Sequence, residues 1–250
     1  MGYHKLSSYV ATFSVALCVA LAPLSLETPP LSAQPLYVSI KFPSTPVGSP
    51  RTAIGGGTRG GRLMSGVSLS SHLTVLSPQN NIVTTVSDQP TLYWYIPKTE
   101  AKSADFVVYD PEGQLVYQTK VALEGIPGVV KLSLPRTVEL KMGQEYDWTL
   151  ALDQSPENEE QNRSVGGKIK RTALTATQKA QLAAARQPLQ QAEIYAEAGI
   201  WQETISILAQ LRHDRPSDRN INAAWKELLE SVELKEIANA PLIECCRVDK

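Results

Sequence analysis

Nucleophilic catalysis through imidazole needs a histidine within reach of a serine or cysteine. Of three histidines, only His72 and His213 lie beyond the first 33 residues. His72 follows Ser70 and Ser71 at the head of a β-rich stretch, where adjacency in sequence carries little weight. His213 closes a helical pattern, where a cation meets the negative end of the helix dipole. Both read as structural. Paired carboxylates could act as general acid and base, but Glu157, Glu159 and Glu160 fall in the hydrophilic run Gln154–Arg163, where nothing would raise a pKa. No histidine, cysteine or carboxylate cluster stands at metal-ligand spacing, so no metal and no cofactor is expected. The chain is therefore expected not to be an enzyme.

Binding chemistry has more to work with. In Gly55-Gly-Gly-Thr-Arg-Gly-Gly-Arg62, glycines let backbone amides approach an anion, and Arg59 and Arg62 supply charge. The Gly-Lys-Ser/Thr step of a phosphate loop is missing, and a flexible linker tip accounts for the same residues. Trp94, Trp148 and the tyrosines at 93, 95, 109 and 117 could form a sugar-stacking face or, as strand aromatics more often do, a core. Tyr195 and Trp201 flank a glycine in a helical segment and are the remaining binding candidates.

These residues are positioned by a chain built in distinct parts. Lys5 precedes the apolar run Val10–Leu21, and a proline-containing segment ends in Leu31-Ser-Ala33. That layout is a secretory signal peptide over residues 1–33, cut after Ala33, with export to the periplasm or outside the cell. A transmembrane anchor is the alternative, but the run falls short of the ~20 residues a spanning helix needs, so no integral span is expected after cleavage. Removing residues 1–33 takes one lysine and one glutamate and leaves the net charge at −1, too weak a field to recruit nucleic acid. Cys245 and Cys246 are then the only cysteines. Neighbours in sequence, they cannot staple distant parts of one fold, and they fit a tail over residues 243–250 better than an intermolecular bridge.

Residues 34–68 read as a proline- and glycine-rich linker without periodicity, extended or disordered. From 69 to 172 the texture is short β-rich runs: 73–76, 82–86, 91–96, 105–109, 115–120, 129–134, 146–152 and 165–170. Leu92, Trp94 and Ile96 share one side of their strand and Tyr93 and Tyr95 the other, so one set can enter a core, with Trp94 as anchor. Asp110-Pro-Glu-Gly113 has the proline and glycine positions of a type I turn and predicts a hairpin. The fold class expected is mainly β plus α, an antiparallel β-sandwich followed by a C-terminal helical hairpin block. Pro90-x-x-x-Trp94, Pro135 and Gly143-x-x-Tyr146-x-Trp148 resemble the general plan of immunoglobulin-like and fibronectin-III domains.

From 173 to 242 alanine, glutamine, leucine and glutamate dominate, and helices are predicted over 177–186, 189–198, 201–213 and 220–232. Tyr195, Gly199, Trp201 and Pro216 resemble one tetratricopeptide unit, with Thr204 where that repeat has alanine. One and a half units cannot bury a solenoid core, so this block must dock on the strands or on a partner.

Across residues 53–242 the order of landmarks resembles one bacterial family, a domain of unknown function numbered 928. The matching segments are Gly55–Gly61, Pro90–Pro97, Gly128–Pro135 and Tyr195–Trp201, with Leu228-Leu229 and Ala240-Pro-Leu242 near the end. The resemblance implies a cysteine after the Thr-Arg-Gly-Gly segment and another near Asp153; Arg62 and Leu152 stand there, so that bridge is absent. It implies no activity. The reading that remains is an exported, non-enzymatic protein-interaction module whose partner is an envelope protein. A carbohydrate or cell-wall binder, predicting exposed coplanar aromatics, is the alternative, and an envelope hydrolase, requiring a buried carboxylate pair or a serine–histidine contact in a cleft, is the second.

Overall fold

Alternating apolar residues become eight strands in the computed structural model, which describes residues 1–2, 39–48, 51, 68–153 and 164–243. The strands are β1 (Thr74–Val75), β2 (Ile82–Thr85), β3 (Thr91–Ile96), β4 (Ser103–Tyr109), β5 (Leu115–Ala122), β6 (Gly128–Ser133), β7 (Glu145–Asp153) and β8 (Ser164–Arg171). They form two sheets, ordered β1-β3-β6 and β2-β8-β7-β4-β5. All strand pairs are antiparallel but one: β2 runs parallel to β8, a departure from the all-antiparallel expectation. The Asp110–Gly113 turn joins β4 to β5 as predicted, with Gly113 N–H donating to the Asp110 carbonyl at 3.0 Å.

Period-two alternation decides which side chains leave water. Ala104, Phe106 and Val108 of β4 and Tyr146, Trp148, Leu150 and Leu152 of β7 are buried, each large one worth roughly 1.5–3 kcal/mol of burial. The sheets meet where Trp94 of β3 packs edge-on against Phe106 (5.4 Å) and Trp148 (5.5 Å). On β3 the one-sided expectation fails. Tyr93 and Tyr95 are buried as well as Trp94, because the chain covers both faces of this strand. Tyr95 donates its hydroxyl to the Ser70 carbonyl, and Tyr93 faces Ala209 and His213 across a small apolar gap.

Four helices follow: α1 (Ala176–Ala184), α2 (Pro188–Glu197), α3 (Trp201–Asp214) and α4 (Arg219–Ser231), all within two residues of prediction. Local chemistry sets their ends. Thr175 and Gln178 cap α1 reciprocally, Pro188 opens α2 where no N–H is needed, and Asp218 accepts from Asn220 and Ile221 at the head of α4. Gly199 closes α2 in the left-handed conformation (φ +71°), with Ile200 N–H donating to Tyr195 O at 2.8 Å and Gly199 N–H to Ala196 O at 2.9 Å. That double bond pattern is a Schellman motif, and it turns the chain directly into α3.

The linker expectation needs correction. Residues 39–48 form no helix or strand, yet Ile40, Phe42 and Arg51 are buried. Ser39 donates to Glu227 of α4 and Phe42 N–H to Ser231 Oγ, so this segment is a strap across α4. Isolated anchors leave no periodic trace, which is why residue pattern alone assigned nothing here. Residues 1–33, where the signal peptide is expected, lie outside the described residues apart from Met1 and Gly2.

Candidate functional site

The densest polar chemistry lies where the start of α3 meets the edge of β2. Thr84 Oγ1 accepts from Trp201 N–H (3.0 Å) and donates to Gly199 O (2.6 Å), so one hydroxyl serves both a helix start and a turn. Two residues on, Glu203 Oε1 accepts from Thr85 Oγ1 (2.7 Å), Val86 N–H (3.0 Å) and Ser87 N–H (3.1 Å). Its other oxygen is buried with no partner. Burial therefore holds the Glu203 carboxyl above the usual range, against the opposing pull of those donors. The donors on Oε1 are one hydroxyl, that of Thr85, and the backbone amides of Val86 and Ser87. What this cluster does is fasten helix to sheet.

The same joint places two of the four sequence-predicted binding residues. Trp201 is completely buried, its ring edge-on to Phe42 at 5.1 Å and its indole N–H donating to Leu76 O at 2.8 Å. It is a joint of the fold and not a contact surface. Tyr195 is half-buried, and its hydroxyl is held above its ordinary pKa by burial and then by the nearby Glu203 charge. Arg59 and Arg62 lie outside the described residues, as do Cys245, Cys246 and the glutamates at 157, 159 and 160.

Sequence reasoning passed over Arg51, the least expected buried charge. Its guanidinium donates to Ser77 O and to Val232 O, both at 2.8 Å, tying the strap to the strands and to the end of α4. Desolvation lowers its pKa to about 10, against the raising influence of Glu233. No motif announces it; the signal is three-dimensional.

Other chemical candidates resolve into structure. Ser71 Oγ and His72 Nδ1 lie 2.8 Å apart, but on an exposed turn where both also face the Ser68 carbonyl. Trp94, Trp148, Tyr93 and Tyr95 are core, which removes them as a sugar platform. Among the described residues, the charged side chains lining a recess of about 520 Å³ between β2, β7 and β8 are Asp147 and Lys168, which pair with each other at 3.0 Å. Among the described residues no group of three metal-ligating side chains occurs, and no helix is long and apolar enough to cross a membrane.

The surface with unused capacity is helical. α1 contains no buried residue, and Ala176, Ala180, Ala183 and Ala184 repeat at helical spacing on one exposed side.

Comparison with known proteins adds one positive finding. A family model described as "Domain of Unknown Function (DUF928)" matches residues 54–242. No curated protein matches. Among solved structures, the solution structure of the fn3 domain of the human collagen alpha-1(XX) chain is similar at 13% identity and a TM-score of 0.27, covering 47% of this chain and 94% of that one. A likeness that low carries no argument about fold or function.

Proposed function

The chain belongs to the DUF928 family, and from that premise, which brings no activity with it, we propose an exported, non-enzymatic interaction module of the cell envelope. In this reading the two sheets are an immunoglobulin-like sandwich, the helices are a partial tetratricopeptide-like array, and the array ends in a face open to a protein partner. Export is supported by the apolar Val10–Leu21 run and the Leu31-Ser-Ala33 end.

One observation carries the proposal: α1 is a nine-residue helix with nothing buried. Isolated helices shorter than about 12–15 residues are marginal in water, so caps at Thr175 alone are a thin basis for keeping one. A helix of an incomplete array gains its stability when the next helix covers it. Here the covering helix comes from the partner, laid along the alanine side of α1.

The test is affinity capture from envelope extracts with the wild-type chain and with the double substitution Ala180→Glu and Ala183→Glu, which preserves helix propensity while charging that side. A discrete protein captured by the wild type and lost with the variant, at unchanged unfolding midpoint, is the expected result. Recovery of the same proteins by both, or of none by either, overturns the reading.

A further inference from the structure

Among the described residues, other parts of the chain lie against three of the four lateral edges of the two sheets. The β1 edge is met by Arg51, whose carbonyl accepts from Val75 N–H at 2.9 Å. The β6 edge is lined by the C-terminal segment: Val129 N–H donates to Pro241 O, and Ile243 N–H to Val129 O, both at 2.8 Å. Gly128 permits this approach, since a Cβ there would stand 2.7 Å from Pro241 O. At the β2 edge lies the start of α3, where Gly199 and Trp201 meet the Thr84 side chain and Glu203 accepts from Val86 and Ser87 just past the strand.

The β5 edge is different. It closes the five-stranded sheet and is eight residues long. Leu123 N–H donates to Lys102 O at 2.7 Å, which fixes the alternation of the ladder: Tyr117, Thr119 and Val121 turn their backbone groups toward β4, and Gln118, Lys120 and Ala122 turn theirs away. Among the described residues no other strand takes these up. An edge of this length is ordinarily guarded by a lysine held out into the path of an incoming strand. Lys120 occupies that place, but its ammonium is drawn back over its own sheet by Asp153 (2.8 Å) and Asp105 (3.6 Å). The guard is neutralised.

We propose that the occupant of this edge is β5 of a second copy, paired antiparallel about a two-fold axis at Thr119. Faces match only when paired residue numbers sum to an even value. Centring on Gln118 would set Glu112 against Glu124, whereas centring on Thr119 sets Gln118 opposite Lys120, Tyr117 opposite Val121 and Val116 opposite Ala122, with no like charges facing. The exposed Leu115 then meets Leu123 at each end. Two five-stranded sheets become one continuous sheet of ten, and the interface is isologous.

The test uses the full-length chain in light-scattering chromatography and sedimentation. Gln118→Pro removes an outward N–H that β4 does not use, so the fold survives. Gln118→Lys places a second ammonium opposite Lys120 of the other copy, with an effect that weakens in salt. The wild type is expected to be dimeric, with either substitution raising the dissociation constant about tenfold or more. Thr119→Cys, with the native cysteines replaced by serine, is expected to cross-link across the axis under mild oxidation. A chain monomeric at all concentrations, a dimer indifferent to both Gln118 substitutions, or an uncross-linked Thr119→Cys overturns the proposal. The reading of α1 stands or falls separately, because it concerns a different element and a different assay.

Discussion

At the scale of single residues, the joint between sheet and helix rests on a few side chains that each satisfy several buried groups. Thr84 is the clearest case, since its hydroxyl serves Trp201 N–H and Gly199 O together. Thr84→Val keeps the shape and strands both groups, so unfolding free energy is expected to fall by about 1–3 kcal/mol, read as a lower urea midpoint at constant slope. Glu203 gives a pH signature. Its folded pKa lies above its unfolded value, so its contribution favours folding at pH below the ordinary carboxylate range and is lost as pH rises through the folded value. Denaturant midpoints measured from pH 4 upward should therefore decline less in Glu203→Gln than in the wild type. Equal declines would show that the carboxyl is not desolvated.

At the scale of elements, the helix boundaries were readable from composition and caps, and most strands from alternation, because both signals are local. Gly199 illustrates how local. Its φ of +71° closes the Schellman motif, and a Cβ there would meet no atom within 4 Å, so the cost of Gly199→Ala is conformational only. About 1 kcal/mol of destabilisation is expected, measurable by chemical denaturation. By contrast, Ala180→Pro in α1 should abolish that helix while changing the unfolding midpoint little, because no residue of α1 is fully buried and only Gln178 and Leu182 are half-buried. A large loss of midpoint would mean that α1 is part of the core. The β3 strand shows the limit of local reading: alternation distinguished its two sides, but only packing revealed that helices and loops fill the side carrying Tyr93 and Tyr95.

At the scale of the whole molecule, the sequence division into strands over 69–172 and helices over 173–242 does not mark a division of the core. Trp94, Trp148, Trp201 and Trp225 belong to one cluster of buried residues, and Tyr37–Lys250 form one compact unit. Unfolding should accordingly be a single transition, with tertiary (near-ultraviolet) and helical (222 nm) circular dichroism coincident; separated transitions would contradict this. Arg51→Met removes the donor to Ser77 O and Val232 O at the seam, and is expected to cost about 1–3 kcal/mol in that same transition without splitting it.

By itself the sequence determined the kind and place of nearly every element, because periodicity, caps and turn residues act over a few positions of the chain. It also carried the family landmarks across residues 54–242. Tertiary structure alone decided that Trp201 is a buried joint, that Phe42 and Arg51 are buried, and that no other strand among the described residues pairs with the edge of β5. Those outcomes depend on contacts between residues separated by tens to nearly two hundred positions, such as Phe42 with Ser231, and no pattern confined to a short stretch of chain encodes such a meeting.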